Sequence, residues 1–326
     1  MSRPLVSVIL PTFNRAELLP GAVESALAQS WRPLELLVVD DGSSDGTPAL
    51  CQALKARSEQ AGVAAVFLRQ ANAGPAAARN LALQRAGGDY FAFLDDDDRW
   101  YPDKTARELA ALQSTGAEVA ACLLLRPQTR DRRTKPRHAA DLLEGRCAAD
   151  FLGRGRDASI VSLLVTRDAA RRAGPFDESL RAGEDTLWMY RLLLGATACN
   201  VPEVLGEAGD LPGSLSSGTG LDGMLRRDAD HEAWLLRARE AGVNDGGWDE
   251  QTWRARVAQD YSELVKNRLY SGDLAGAREV FQRGMRLSAG NPPLPRVKRK
   301  IHKARLLSLF GRKLQHPKLR KEATRG

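Results

Sequence analysis

Apolar and polar positions come in alternating blocks over the first hundred residues. Val6–Leu10 is rich in buried-type side chains and is stopped by Pro11, which predicts a buried strand. Behind it Leu18, Leu19, Ala22, Val23, Ala26 and Leu27 recur at helical spacing, with Asn14 placed to cap the helix. Leu34–Val39 predicts a second strand, ended by the turn-rich Asp40–Gly46. A helix over Thr47–Gln60, a strand over Val63–Leu68, a helix over Gly74–Ala86 and a strand over Tyr90–Leu94 follow. The last strand runs into four aspartates. This alternation predicts an α/β chain with a mostly parallel sheet and crossover helices. Ligands of such sheets sit beyond the carboxyl ends of the strands. Asn14, Asp40 with Asp41, and Asp95 to Asp98 all fall at those ends.

The middle of the chain is less regular. Arg126–Arg137 is crowded with basic residues and reads as a loop, Ile160–Val165 as a strand, Gly174–Asp177 as a turn and Glu184–Leu194 as a helix. From about Leu221 the pattern is helical. Two amphipathic stretches in Val257–Leu287 are split by Ser271–Asp273 and stopped at Asn291–Pro293. One such hairpin makes no repeat array, so it reads as an appendage.

Composition adds that 43% of the 326 residues are hydrophobic and 27% charged, as in folded globular chains. Charge adds more. Residues 291–326 hold 12 Lys and Arg against one acidic residue, Glu322; the preceding 290 hold 36 against 40. The body is mildly acidic and the tail strongly basic, so the net +7 says nothing of nucleic acid on the body. In the tail Leu306, Leu307 and Phe310 form a small apolar face among positive charges, a pattern suited to an anionic lipid surface. The opposing reading is a solvated tail without a partner. Nucleic acid is not expected there, because aromatic residues are scarce. No stretch approaches the ~20 apolar residues of a membrane span, and the N-terminal run lacks a cleavage region. Cys51, Cys122, Cys147 and Cys199 show no zinc or disulfide spacing. The expected location is the cytoplasm, or the inner face of the cytoplasmic membrane.

Five segments carry candidate chemistry. Asp95–Asp98 concentrates hard oxygen donors that suit Mg²⁺ or Mn²⁺ shared with phosphates, or else forms a solvated helix-capping turn. Asp40–Thr47 offers strand-end carboxylates that could accept bonds from a base or ribose, with Gly42 and Gly46 allowing close approach. Phe13, in Pro11–Arg15, could lie against a base. Arg79, one turn into the helix after Gly74-Pro75, could meet a phosphate or a base, or merely a neighbouring carboxylate. Glu184-Asp185 opens a helix and could supply a general base or merely a cap. The first strand is followed by Pro11-Thr-Phe-Asn14 rather than a glycine-rich phosphate loop, which speaks against a dinucleotide oxidoreductase.

In order, Leu5–Arg15, Glu35–Thr47, Asn72–Leu83, Asp89–Lys104 and Gly174–Leu194 resemble the successive motifs of family 2 glycosyltransferases, inverting enzymes of the GT-A fold. The resemblance covers roughly residues 5 to 217, with Pro212–Ser216 similar to the tail of the last motif. It implies a GT-A nucleotide-diphospho-sugar transferase domain over 1–220. A helical appendage over 221–290 and a basic tail over 291–326, membrane-associated or disordered, would follow. It implies that Asp41 binds the nucleobase, with Pro11, Thr12, Phe13 and Asn14 on the same donor pocket and Arg79 near the base or diphosphate. Asp95-Asp96-Asp97 would bind metal and ribose, with Asp97 the first choice as metal ligand and Asp95 and Asp96 the alternatives. Asp185 would be the catalytic base, with Glu184 beside it. The implied cofactor is Mg²⁺ or Mn²⁺. The implied donor is a nucleotide-diphospho-sugar, with UDP the commonest nucleotide. The acceptor would be a glycan, lipid-linked or protein hydroxyl, in cell-surface polysaccharide or glycoconjugate synthesis. A catalytically inactive nucleotide-sugar-binding protein is the alternative. One departure is Gly206–Asp210, which lacks the aromatic-Arg and His that the family often carries there.

Overall fold

A computed structural model describes residues 3–125, 143–154, 159–209, 221–244, 249–309 and 314. The expected loop Arg126–Arg137, the Pro212–Ser216 segment, Phe310 and most of the chain beyond it lie outside the described residues.

Three βα units and a fourth strand open the chain as the hydrophobic pattern predicts: β1 (Val6–Thr12), α1 (Leu19–Leu27), β2 (Leu34–Asp40), α2 (Thr47–Gln60), β3 (Ala64–Arg69), α3 (Pro75–Arg85) and β4 (Tyr90–Phe93). They are followed by β5 (Arg99–Trp100), α4 (Lys104–Thr115), β6 (Val119–Leu125), α5 (Ala148–Arg154), β7 (Leu163–Thr166), α6 (Arg167–Ala173), α7 (Glu184–Gly195) and β8 (Ala198–Glu207). One eight-stranded sheet results, in the order β3-β2-β1-β4-β7-β6-β8-β5. The first four strands in that order are parallel; β7 is antiparallel to both its neighbours, and β5 is antiparallel to β8. Every residue of β1 is buried, as befits a strand covered on both faces. On β3, at the sheet edge, exposed and less exposed positions alternate. Helix α3 packs on β1 and β2, α4 on β6 and β8, and α6 on β4 and β7.

Strand order reverses between β1 and β4, the switch point where a doubly wound sheet leaves a crevice. The register puts Thr12 beside Asp40 and Ile9 beside Phe93. The polar ends of three strands therefore open onto one crevice.

Two local expectations change. Asn14 does not cap α1. The helix starts at Leu19 with Pro20 in its first turn, and Asn14 is drawn away into a left-handed conformation, φ 52°, which Asn tolerates better than most residues. The run from Ile160 is a short 3-10 turn up to Ser162, and strand begins only at Leu163.

The C-terminal part is α8 (Leu221–Asn244), α9 (Glu250–Ser271), α10 (Leu274–Leu287) and α11 (Leu294–Leu309). Asp249 caps α9 by accepting from the Gln251 and Thr252 amides, and Asp273 caps α10 by accepting from Gly276. Helices α5, α8, α10 and α11 all pack on α9, and α8 also packs on α7. The first half of the basic tail is therefore helix, with Leu294, Val297, Ile301 and Ala304 buried. No helix among the described residues is long and apolar enough to cross a membrane. All four cysteines are buried and none is in a disulfide.

Candidate active site

The loop after β1 and the loop after β2 are tied by a ladder of short bonds. The Asn14 amide donates to Ser43 Oγ (2.8 Å), and the Ser44 amide donates to Asn14 Oδ1 (2.8 Å). The Arg15 amide donates to Thr47 Oγ1 (3.2 Å) and the Ala16 amide to Asp45 Oδ2 (3.1 Å). This clasp is what holds Asn14 in its unusual backbone. Pro11 and Thr12 are buried beneath it, while Phe13 is left 42% exposed at the rim, free to face a flat ligand.

Asp41 is buried, and both its oxygens are engaged. Oδ1 accepts from Gln70 Nε2 (2.7 Å) and the Ala73 amide (2.9 Å); Oδ2 accepts from the Gly74 amide (2.8 Å). The carboxylate thus anchors the entry to α3. Gly42 makes the approach feasible. Its φ is +80°, and a Cβ there would lie 2.8 Å from the Asn72 amide nitrogen, so only glycine fits. Gln70 carried no signal in the sequence, since nothing but the fold brings it to Asp41.

Arg79 is the centre of the site. It projects from α3 and is 4% exposed. Nη2 donates to Asp95 Oδ1 at 2.8 Å and Nη1 donates to Glu184 Oε1 at 2.9 Å. Burial works against its charge, but Asp95, Glu184 and Asp185 together outweigh it and hold the proton more tightly. A neighbouring carboxylate was among the partners that the sequence left open for Arg79, and Asp95 and Glu184 supply it. Asn80, the next residue, exchanges bonds with the Phe176 backbone at 2.8 and 3.0 Å, pinning the Gly174–Asp177 turn. Phe176 stacks on Trp188 with centroids 4.7 Å apart, and both meet Phe93 edge-on. The floor under Arg79 is therefore rigid.

The four aspartates divide by role. Asp95 is paired to Arg79. Asp98 is buried and accepts from the Gly209 amide at 2.6 Å, tying the chain after β8 to this turn. Gly209 packs so closely that a Cβ would lie 2.5 Å from the Asp97 carbonyl oxygen. Asp96 and Asp97 remain, and neither makes a salt bridge among the described residues. Burial, opposed by the Thr12 hydroxyl and reinforced by Asp95 and Asp97, pushes Asp96 up to about 7. Burial and Asp95 raise Asp97 as well. Arg15 opposes both shifts, and Arg99 that of Asp97, but less than burial raises them; crowded carboxylates of this kind are a donor set that fits a hard divalent cation. No three His, Cys, Asp or Glu side chains converge on one point among the described residues. The rest of a coordination shell would thus fall to ligand phosphates and water.

Helix α7 supplies the opposite wall. Gly183 precedes it with φ +80°, and a Cβ there would lie 3.2 Å from Trp234 Cδ1 on α8. Glu184 is buried on Arg79; Asp185 is half-buried, and its Oδ1 accepts from the Thr186 amide at 2.7 Å. Its Oδ2 takes no bond from the described residues. Burial raises both carboxyls above the ordinary range, their mutual repulsion adds to this for Glu184, and Arg79 holds both back. Arg237 of α8 braces the preceding loop, reaching Asp177 at 3.0 Å and Ser179 Oγ at 2.8 Å. Neither Trp234 nor Arg237 was visible as a site residue, fifty residues from the acidic pair and in an unremarkable helix.

Residues 7–174, slightly more than half the chain, match the profile "Glycosyl transferase family 2". The succinoglycan biosynthesis protein ExoO of Rhizobium meliloti (strain 1021) is 30% identical over 284 residues, 84% of this chain and 80% of that protein. TuaG of Bacillus subtilis (strain 168), a candidate teichuronic acid biosynthesis glycosyltransferase, is 45% identical over 107 residues. That match spans 33% of this chain and only 41% of TuaG. Among solved structures, S. aureus TarS 1–349 superposes with a TM-score of 0.62 at 18% identity, over 92% of this chain and 87% of that one. It has also been crystallised with UDP-GlcNAc, a form that superposes with a TM-score of 0.59 at 16% identity. At those identities the likeness speaks for the fold alone.

Proposed function

Since the chain belongs to the family 2 glycosyltransferases, we propose that it transfers a sugar from a nucleotide-diphosphate donor to an acceptor hydroxyl with inversion at the anomeric carbon. The observation that carries this reading is the Arg79 bridge. It joins the aspartate run after β4 to the acidic start of α7, some ninety residues later, across the crevice where strand order reverses. A donor-holding wall and a proton-accepting wall face one site.

Phe13 and the buried Pro11–Thr12 pair, clasped to Ser43 and Ser44, form the base-binding side. Asp41 serves that side by holding the α3 entry loop in place, with the base read at its edge. Asp97 would hold the divalent cation with Asp96 beside it, whereas Asp95 is already committed to Arg79. A bound Mg²⁺ or Mn²⁺ supplies positive charge against the donor's diphosphate. Asp185, with Oδ2 unengaged, accepts the proton of the acceptor hydroxyl as its oxygen bonds to the anomeric carbon and the bond to the diphosphate breaks on the other face. Glu184 keeps Asp185 and Arg79 in register.

ExoO supports a surface polysaccharide as the product; UDP is the first nucleotide to test, as the one the family most often uses. Buried thiols outside any disulfide suit the cytoplasm or its membrane face. Calorimetric titration with UDP, GDP and dTDP, each with and without Mn²⁺, tests the donor site. Metal-dependent binding of one nucleotide is expected. Asp185→Asn should bind that nucleotide as the parent does while losing turnover at least 100-fold, on the order of what general-base catalysis contributes. Undiminished turnover would remove Asp185 from its role. A parent protein that binds nucleotide-sugar and turns over no acceptor would favour the inactive binding protein.

A further inference from the structure

Helix α11 shows two chemistries on two sides. Leu294, Val297, Ile301 and Ala304 follow one another at spacings of three and four and are buried against α9 and α10. The opposite arc is exposed and carries Arg296, Lys298, Arg299, Lys303 and Arg305. No acidic residue occurs anywhere from Asn291 to Lys321 to neutralise them. Lys300 alone turns back onto the body, with its Nζ 3.2 Å from the Tyr270 hydroxyl.

Two apolar side chains stand in this basic arc, one turn apart. Leu306 is 60% exposed and Leu309 is 73% exposed. On a purely solvated helix these positions would cost nothing as polar residues. A pair of exposed leucines ringed by Lys and Arg is the pattern of a helix lying in a headgroup layer, apolar groups inward and charges on the phosphates. The helix is long enough to lie flat on its body-facing stripe while offering the other side outward. The sequence beyond it continues in kind, with Arg312, Lys313, Lys318, Arg320 and Lys321. The preceding 290 residues are mildly acidic on balance, so an anionic surface attracts this end of the molecule more than the body as a whole. The described part of the arc carries no aromatic side chain on which a base could stack.

We propose that the exposed arc of α11 is a docking surface for an anionic membrane, with Leu306 and Leu309 entering the interface and Lys298, Arg299 and Lys303 on the headgroups. This surface is remote from the acidic pair of α7 in sequence and stands whether or not the catalytic reading holds.

The test is flotation of the full chain with phosphatidylcholine vesicles made with and without phosphatidylglycerol, at low and high salt. Binding should require phosphatidylglycerol and weaken with salt. Replacing Lys298, Arg299 and Lys303 together by Glu should weaken partitioning at least about 100-fold, since each basic residue near an anionic surface contributes roughly fivefold. Leu306→Ser with Leu309→Ser should weaken it while leaving the salt dependence in place. All five positions are exposed, so both variants keep the parent's helix content, which circular dichroism checks. Equal flotation of the triple variant and the parent would overturn the proposal. So would binding that ignores lipid charge, or a single-stranded oligonucleotide that binds the same face tightly while vesicles do not. Nucleotide titration on the same samples separates a failure here from a failure of the donor site.

Discussion

Arg79 meets two carboxylates from motifs that lie far apart in the chain, at 2.8 and 2.9 Å. A buried guanidinium is tolerable because its fork is matched on both arms. Its charge in turn decides how the acidic pair titrates. Burial lifts Glu184 and Asp185, and Arg79 pulls both back. A base works only when ionised, so kcat/KM should fall as pH drops through a value above the ordinary aspartate range. Arg79→Ala removes the restraint, and the acid limb of the pH profile should move to still higher pH. Nucleotide affinity, read by calorimetry, reports whether the pocket survives the change. An acid limb that stays put or moves down would mean that Arg79 does not set the charge of the pair. The same scale shows what sequence could not say about the aspartate run. Four identical residues are indistinguishable on paper; only the fold gives Asp95 to Arg79 and Asp98 to the Gly209 amide, and leaves Asp96 and Asp97 without a salt bridge among the described residues.

Among the elements, α8 deserves to be read with the site and not apart from it. Trp234 packs on Gly183, the residue that starts α7, and Arg237 clamps Asp177 and Ser179 in the loop before it. Loosening that loop shifts the helix that carries Asp185. Arg237→Ala should therefore lower kcat by about 10- to 100-fold with the donor KM nearly unchanged, measured by steady-state kinetics. A loss confined to KM, or none at all, would reduce α8 to packing. The first three βα units and β4 were legible because their strands are apolar runs with polar ends. Later elements hid for physical reasons. Helix α4 spends two core positions on Lys104 and Glu108, a fully buried ion pair with Nζ–O distances of 2.8 and 2.9 Å, so its apolar stripe is broken in the sequence. Strand β5 is two residues long, and β8 contains Pro202 and an irregular register against β6. Asn14 looked like a cap because it is a capping residue before a helix, but the Ser44 amide takes its side-chain oxygen and the Ser43 hydroxyl accepts from its backbone amide.

At the scale of the whole molecule, the helical part and the sheet share interfaces through α7 with α8 and α5 with α9. Trp234 and Trp253 are buried in the helical part. Burial of two tryptophans and the leucines around them couples the unfolding of one part to the other. Calorimetry of the full chain should show one melting transition; two well-separated ones would mean that the parts fold independently. The bracing of Gly183 also has a consequence for how such proteins diverge. On the proposed reading the nucleotide would lie against the first hundred residues, while the posture of the helix bearing Asp185 answers to a segment encoded far downstream. On that reading, substitutions in α8 would re-aim α7 while the residues of the β1 and β2 loops stay as they are, so the two walls of the crevice would vary independently.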